Sequence, residues 1–431
     1  MSDETTSPGE PTSTGAGDGA GPLADLRVID CATLFAGPVI ATLLGDFGAD
    51  VIKVEHPVGD GQRYVGWQMN DQSLWWTFLG RNKRCVTVDL HRTRGQELLR
   101  ELVTTADVLI ENFRPGTLER WGLGWEELHK LNPKLVMVRV TAFGQTGPYS
   151  HRPGFGTLAE AMSGYAHING YPDGPPTLPP FALGDAVAGL FGASSVMFAL
   201  HERDKTPEGR GQYIDLSIYE PLFWLLGPQA LVYDKLGIVQ GRTGNRAPFT
   251  APRNAYLTAD EKWVVLSGSA QSIAERAMKM VGAPELIDEP WFASHTGRLE
   301  HQDELDALIG TWVSARTEEE VLAEADAYEV AFGPIYSIAD IFDDPQFAAR
   351  ESVTTVMDDL LGAVKMQNVF PKLSGTPGRI RHTGPALGAH NKEIFVDELG
   401  HAEQDLEDWI AAGVMGRPSP APAPEPEVAD E

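Results

Sequence analysis

From residue 26 to 140 short apolar runs alternate with helical stretches, and no other feature narrows the fold of this chain so far. LRVID (26–30), VIKVE (51–55), DVLIE (107–111) and LVMVRV (135–140) read as strands. AGPVIATLLGDFG (36–48), with Pro38 near its start, reads as a helix, as do residues 93–105 and a shorter run around 124–131. Apolar strands separated by helices predict a parallel sheet covered on both faces, an α/β large domain with a Rossmann-like rhythm. Two further helices are expected over 157–168 and 186–201, and QYIDLSIYEPLFWLL (212–226) reads as a strand running into a helix. Composition changes near residue 227. A hairpin over 255–268, helices at about 271–281, 299–314 and 318–327, and a Thr317–Glu320 capping box predict a smaller α+β domain. The expected organisation is therefore a disordered tail (1–21), a large domain (22–226), a small domain (227–345), a part returning to the large domain (346–415), and an acidic Pro-rich tail (416–431).

The 431 residues are 42% hydrophobic and 22% charged, enough for two or three domains with cores. A net charge of -27 argues against nucleic acid as a partner. Cys31 and Cys85 are too few for a disulfide framework and stand in no metal-ligand spacing, so both are expected as buried free thiols in a reducing compartment. No basic-then-apolar leader is present, and the expected location is the cytoplasm. Eleven scattered histidines show no HxxxH or HExxH, so no metal site is expected. Walker A, GxGxxG and GxSxG motifs are absent as well.

FALGDAVAGLFGASSVMFAL (181–200) carries a single charge, Asp185. Its length and apolarity allow a membrane span, but three glycines, two serines, the acid and the mixed-sign flank HERDKTPEGRG argue against one. Two readings remain, and they are compatible. Asp185 can cap a buried helix. A carboxylate held ionised at a helix N-terminus and shielded from water can also act as a nucleophile.

Basic residues are scarce, so their clustering is informative. GRNKRC (80–85), HRTRG (91–95), ENFRPGTLER (111–120) and the run from His56 to Arg63 fall at expected strand ends or in the loops that follow. Ligands of open α/β sheets bind at the carboxyl ends of strands, and cations there point to an anionic ligand with several phosphates. The bland alternative is a solvated surface with local ion pairs.

Taken together the motifs resemble class III CoA-transferases, the formyl-CoA transferase and carnitine CoA-transferase family. The resemblance is carried by residues 23–63 (LADLRVIDCATLFAGPVIATLLGDFGADVIKVEHPVGDGQR), NKR (82–84), ADVLIENFRPGTLERWGLGWEELHKLNPKLV (106–136), GQTGPY (144–149), LGDAVAG (183–189) and GRGQYIDLSIYE (209–220). It implies a Rossmann-like large domain, a smaller domain and an interlocked, ring-shaped homodimer. It implies that Asp185 of LGD is the nucleophile, carrying acyl groups as an anhydride and then CoA as a thioester. It implies that coenzyme A, a substrate and not a tightly bound cofactor, is held by His56, the Val88–Arg92 stretch with Val88, His91 and Arg92, Asn112, Phe113 and Arg120. The implied partners are an acyl-CoA and an organic acid, with no membrane or nucleic acid. His56 and His91 depart from the family pattern, standing where some members have Arg or Lys.

Two rival functions follow. α-Methylacyl-CoA racemases share the implied fold and pair the equivalent aspartate with a histidine. The corresponding segment here is PGFGTLAEAMSG (153–164), with Phe155 at the histidine position, and neither Phe155 nor Gly156 is an acid or base. A non-catalytic CoA-binding protein is the other rival, and it leaves the LGD aspartate without a use. The glycine-rich loop of oxalate-specific members is missing, and Phe35 replaces their glutamine, so oxalate is not the expected acceptor. The expectation is a succinyl-CoA-like donor and a mid-sized organic acid.

Overall fold

The computed structural model describes residues 21–419, which form two compact units, one of residues 21–159, 181–222 and 351–419, the other of Glu160–Pro180 and Phe223–Arg350. Nearly all of both expected tails lies outside the described residues. The folded chain nevertheless runs on past 415. Gly416 N donates to Thr87 Oγ1 and Ser419 N to Leu387 O.

The first unit is built on six parallel strands: β1 (Arg27–Asp30), β2 (Asp50–Glu55), β3 (Lys83–Thr87), β4 (Val108–Glu111), β5 (Val136–Thr141) and β6 (Tyr213–Ser217). Their order across the sheet is β3-β2-β1-β4-β5-β6, and every pair is parallel. That is the doubly wound order, with a reversal between β1 and β4. Alternate side chains feed opposite faces. Val28, Val51, Val108 and Val136 enter one core, while their neighbours Ile29, Ile52, Leu109 and Met137 enter the other. The strand β3 goes unread in the sequence because Lys83 and Arg84 disguise it.

Helices α1 (Ala36–Asp46) and α2 (Leu183–Lys205) cover the first face. Glycines let them touch. A Cβ on Gly189 would lie 2.4 Å from Val39 Cγ1, and one on Gly192 would lie 2.3 Å from Ile40 Cδ1. By length and composition α2 could cross a membrane. Here it packs on the sheet, with Val187, Ala188, Val196, Ala199 and Leu200 in the core. The second face is covered by the Thr93–Val103 helix and by the returning C-terminal part, through Ile394, Phe395 and Trp409.

In the second unit strands Arg253–Leu257, Trp263–Ser267 and Phe332–Pro334 make an antiparallel sheet. Its core joins Val264 and Leu266 to Met278, Phe292, Leu305, Ile309 and Val313. The Thr317–Glu320 capping box is present. Residues 160–180, expected in the large domain, cluster with this unit. The single helix expected over 157–168 is broken into Gly156–Met162 and Tyr165–Ile168, with Gly164 at φ 95° between them.

Candidate active site

The loops after β1, β2, β3 and β4 converge at the sheet's carboxyl edge, where the strand order reverses. They enclose a pocket of about 110 Å³ lined by Cys31 and Thr33 after β1, His56 after β2, Val88, Leu90 and His91 after β3, and Phe113 and Trp121 after β4, among others. The two sides of the reversal are stitched together. Asn112 Oδ1 accepts from Thr33 N (2.8 Å) and Asn112 Nδ2 donates to Thr33 O (2.8 Å).

Of the residues expected to hold coenzyme A, His56, Val88, His91 and Phe113 line this pocket, and Asn112 braces its wall. Arg92 and Arg120 do not line it. Arg92 Nε reaches Asp89 Oδ2 (3.0 Å) and Arg120 bonds Thr117 Oγ1 (3.0 Å), both from exposed positions. Trp121 and Thr33 were not singled out in the sequence, and Asp89 entered only as part of the Val88–Arg92 stretch. Trp121 packs edge-on against both His91 (4.9 Å between ring centroids) and Phe113 (5.3 Å), which fixes one wall. Burial pushes the His56 imidazole below its ordinary value. Asp89 opposes the shift and His91 adds to it. Burial drives the Cys31 thiol well up, with Asp30 adding to it, which disfavours its thiolate form.

Several cations of the expected anion cluster serve the fold instead. Arg63 pairs with Glu55 (2.7 Å) and lies over Trp76, Arg81 pairs with Asp46 (2.7 Å), and Lys83 with Asp30 (2.9 Å), all in the interior. Buried cations need such partners, and a sequence does not reveal which of its charges are buried.

The loop from β1 into α1 is held by a buried ion pair. Lys53 Nζ bonds Ala32 O and lies 2.7 Å from Asp60 Oδ2. Asp60 Oδ1 accepts from Leu34 N (3.1 Å) and Gln62 N (2.9 Å). Leu34 sits at φ 62°, an uncommon conformation for leucine that its neighbours hold in place. Burial raises the Asp60 carboxyl, but Lys53 and the backbone donors outweigh it, and its pKa lies below the ordinary value.

Asp185 lies in the first turn of α2 and is half-buried. It is not the N-cap. The helix begins three residues earlier than an Asp185 cap requires, with Ala182 at the cap position and no side-chain cap bond. The residue that makes room for Asp185 is Gly156. A Cβ there would lie 2.3 Å from Asp185 Oδ2, and a Cβ on Gly184 would lie 3.1 Å from Gly156 O. Gly189 faces Val39 and Ala36 while Gly192 faces Ile40, so α1 and α2 run in the same sense. The first turn of α2 therefore lies at the end of the sheet where the β1–α1 loop emerges, and both helices present positive dipole ends there.

A doubly wound parallel sheet, a pocket at its reversal point and a carboxylate in the first turn of a neighbouring helix define an open α/β fold with a candidate site at its carboxyl edge. The chain belongs to CoA-transferase family III, whose model matches residues 23–391. It is 47% identical over 388 residues to succinyl-CoA–D-citramalate CoA-transferase of Chloroflexus aurantiacus, covering 89% of this chain and 96% of that one. It is 42% identical to the beta subunit of succinyl-CoA–L-malate CoA-transferase from the same organism, covering 90% and 96%. Among solved structures it is similar to a CAIB/BAIF family protein from Brucella suis, with a TM-score of 0.77, 32% identity, and coverage of 88% and 99%. The family expected from the motifs is the family found, and the protein is a CoA-transferase.

Proposed function

We propose that this enzyme moves CoA from succinyl-CoA to a free dicarboxylic acid of four or five carbons, with Asp185 as the covalent carrier. The donor and acceptor classes rest on relatives named for succinyl-CoA with D-citramalate, L-malate and, at 32% identity, glutarate. The observation that carries the mechanism is the Asp185 carboxylate in the first turn of α2, with Gly156 giving it room.

The steps balance without ATP. Asp185 Oδ attacks the thioester carbonyl of succinyl-CoA, the C–S bond breaks, and a succinyl–aspartyl anhydride forms with CoA thiolate. The thiolate, still held by its nucleotide, attacks the aspartyl carbonyl and releases succinate, leaving an aspartyl–CoA thioester. The acceptor carboxylate attacks that thioester and expels the thiolate. The thiolate then attacks the acceptor carbonyl, yielding the new acyl-CoA and the free Asp185 carboxylate. Helix-start N–H groups near Gly184 suit the developing oxyanions. Small residues around Asp185 keep the activated aspartyl from water. In this reading the pocket at the β1/β4 reversal holds the CoA nucleotide, with His56, Val88, His91 and Phe113 as its contacts and Arg92 and Arg120 at its rim.

The working form we propose is a homodimer of interlocked chains. In the first unit Leu190, Met197 and Phe198 of α2 stand exposed, and in the second Trp224, Leu231 and Leu236 do, apolar side chains that a second chain would cover. Racemization is disfavoured because Phe155 and Gly156 offer no acid or base at the position where racemases carry a histidine.

A panel of acyl-CoA donors against free acids, read by mass spectrometry, tests the reading. Succinyl-CoA with malate- or citramalate-like acids is expected to give the fastest exchange. Absence of transfer to any carboxylic acid, or strong preference for oxalate, contradicts it.

A further inference from the structure

Two imidazoles and a carboxylate meet at one side of the pocket. His56 follows β2, while Asp89 and His91 follow the adjacent β3, and one ligand atom from each can be chosen so that all lie within 4.8 Å of one another. His91 Nδ1 is 3.0 Å and His56 Nε2 3.8 Å from Asp89 Oδ1. Ligand atoms arranged tetrahedrally at bonds of about 2.0–2.1 Å stand about 3.3 Å apart, so small side-chain rotations bring this trio to metal-binding spacing. The surroundings already orient the groups. Asp89 Oδ2 is held by Arg92 Nε (3.0 Å), and the His91 ring rests edge-on against Trp121 (4.9 Å). Such outer contacts are what fix metal ligands in place.

We propose that His56, Asp89 and His91 form a binding site for a divalent transition metal ion, and that metal and CoA exclude one another there. Two imidazoles with one carboxylate select zinc, copper, nickel or cobalt over magnesium and calcium. Binding through His56 Nε2 and His91 Nδ1 leaves each neutral ring its proton on the other nitrogen. The cost is the long contact from Val58 N–H to His56 Nδ1 (3.3 Å). The exclusion rests on the nucleotide reading of the pocket, because His56 and His91 are part of its walls. The site escapes sequence inspection because Asp89 lies 33 positions after His56 and no motif spacing links them.

The test is a Co²⁺ titration of the chelator-treated full-length protein, followed by visible absorption. One equivalent is expected to give a saturable d–d spectrum. His56→Gln and His91→Gln, checked for folding by circular dichroism, are each expected to weaken binding by at least about tenfold, while His167→Gln leaves it unchanged. Excess CoA is expected to bleach the spectrum. The site is overturned if no saturable spectrum appears or if both pocket variants bind like the parent. A spectrum that persists with saturating CoA, bound as shown by calorimetry, overturns the exclusion. Failure of CoA to bind the metal-free protein overturns the exclusion and the nucleotide reading together, and the spectrum then still decides the metal site.

Discussion

At the scale of single residues the site depends on a side chain that is missing. Gly156 leaves the space in which Asp185 Oδ2 lies, since a Cβ there would come within 2.3 Å of that oxygen. Gly156→Ala should therefore turn the carboxylate while leaving the fold intact. A displacement of about 1 Å at a reacting group costs on the order of 10²-fold in rate. The expected result is a fall of that size in kcat with an unchanged circular dichroism spectrum, and an alanine variant of normal kcat contradicts it. Asp185 was legible in the sequence because a lone acid in an apolar run demands a use. Gly156 was not, because its significance lies in a contact with a residue 29 positions away. Thr33 and Trp121 were missed for the same reason, each being ordinary until the loops that carry them are brought together.

At the scale of elements, the sheet's edge is sealed by the returning chain. Asn391 Oδ1 accepts from Thr87 N (2.9 Å), Asn391 Nδ2 donates to Gly416 O (3.1 Å), His390 N donates to Cys85 O (3.0 Å) and His390 Nδ1 accepts from Cys85 N (3.0 Å). An edge strand otherwise presents unpaired backbone groups. Asn391→Ala strands a buried donor and should cost about 1–3 kcal/mol of stability in denaturant unfolding. His390 adds a pH dependence. Burial holds its imidazole below the ordinary value, with Glu393 opposing and His382 and Arg84 reinforcing. Its contribution to stability is therefore present above the unfolded value of about 6.5 and is lost as the pH falls below it. Urea unfolding at pH 8 and 5.5 should show the parent losing more stability than His390→Gln, and equal losses contradict the account. The loop into α1 depends similarly on its interior pair. Lys53→Met leaves Asp60 buried without its cation and should cost about 3–5 kcal/mol. The alternation of strands and helices was readable because apolar periodicity is local. Strand β3 was hidden because its lysine and arginine are neutralised by Asp30 and Asp50, partners that only the folded sheet supplies.

At the scale of the whole molecule, the order of strands turns a local rhythm into a site. The reversal between β1 and β4 opens the sheet's carboxyl edge, and the family's motifs fall on the loops there and on the helix that carries Asp185. That much was legible because loop motifs keep their order in the sequence. The grouping of residues 160–180 with the second unit was not, since chain order gives no sign of a segment that leaves one core and returns. The proposed dimer predicts that light scattering finds twice the mass of a single 46.8 kDa chain, and a monomer at micromolar concentration contradicts it. The covalent chemistry of Asp185 is the central claim, and trapping tests it most directly. Incubation with succinyl-CoA and hydroxylamine, followed by peptide mass spectrometry, should inactivate the enzyme and convert Asp185 alone to its hydroxamate, while Asp185→Ala neither transfers CoA nor is labelled. Full transfer activity in Asp185→Ala, or an active enzyme that hydroxylamine and substrate leave unmodified at Asp185, would contradict the account.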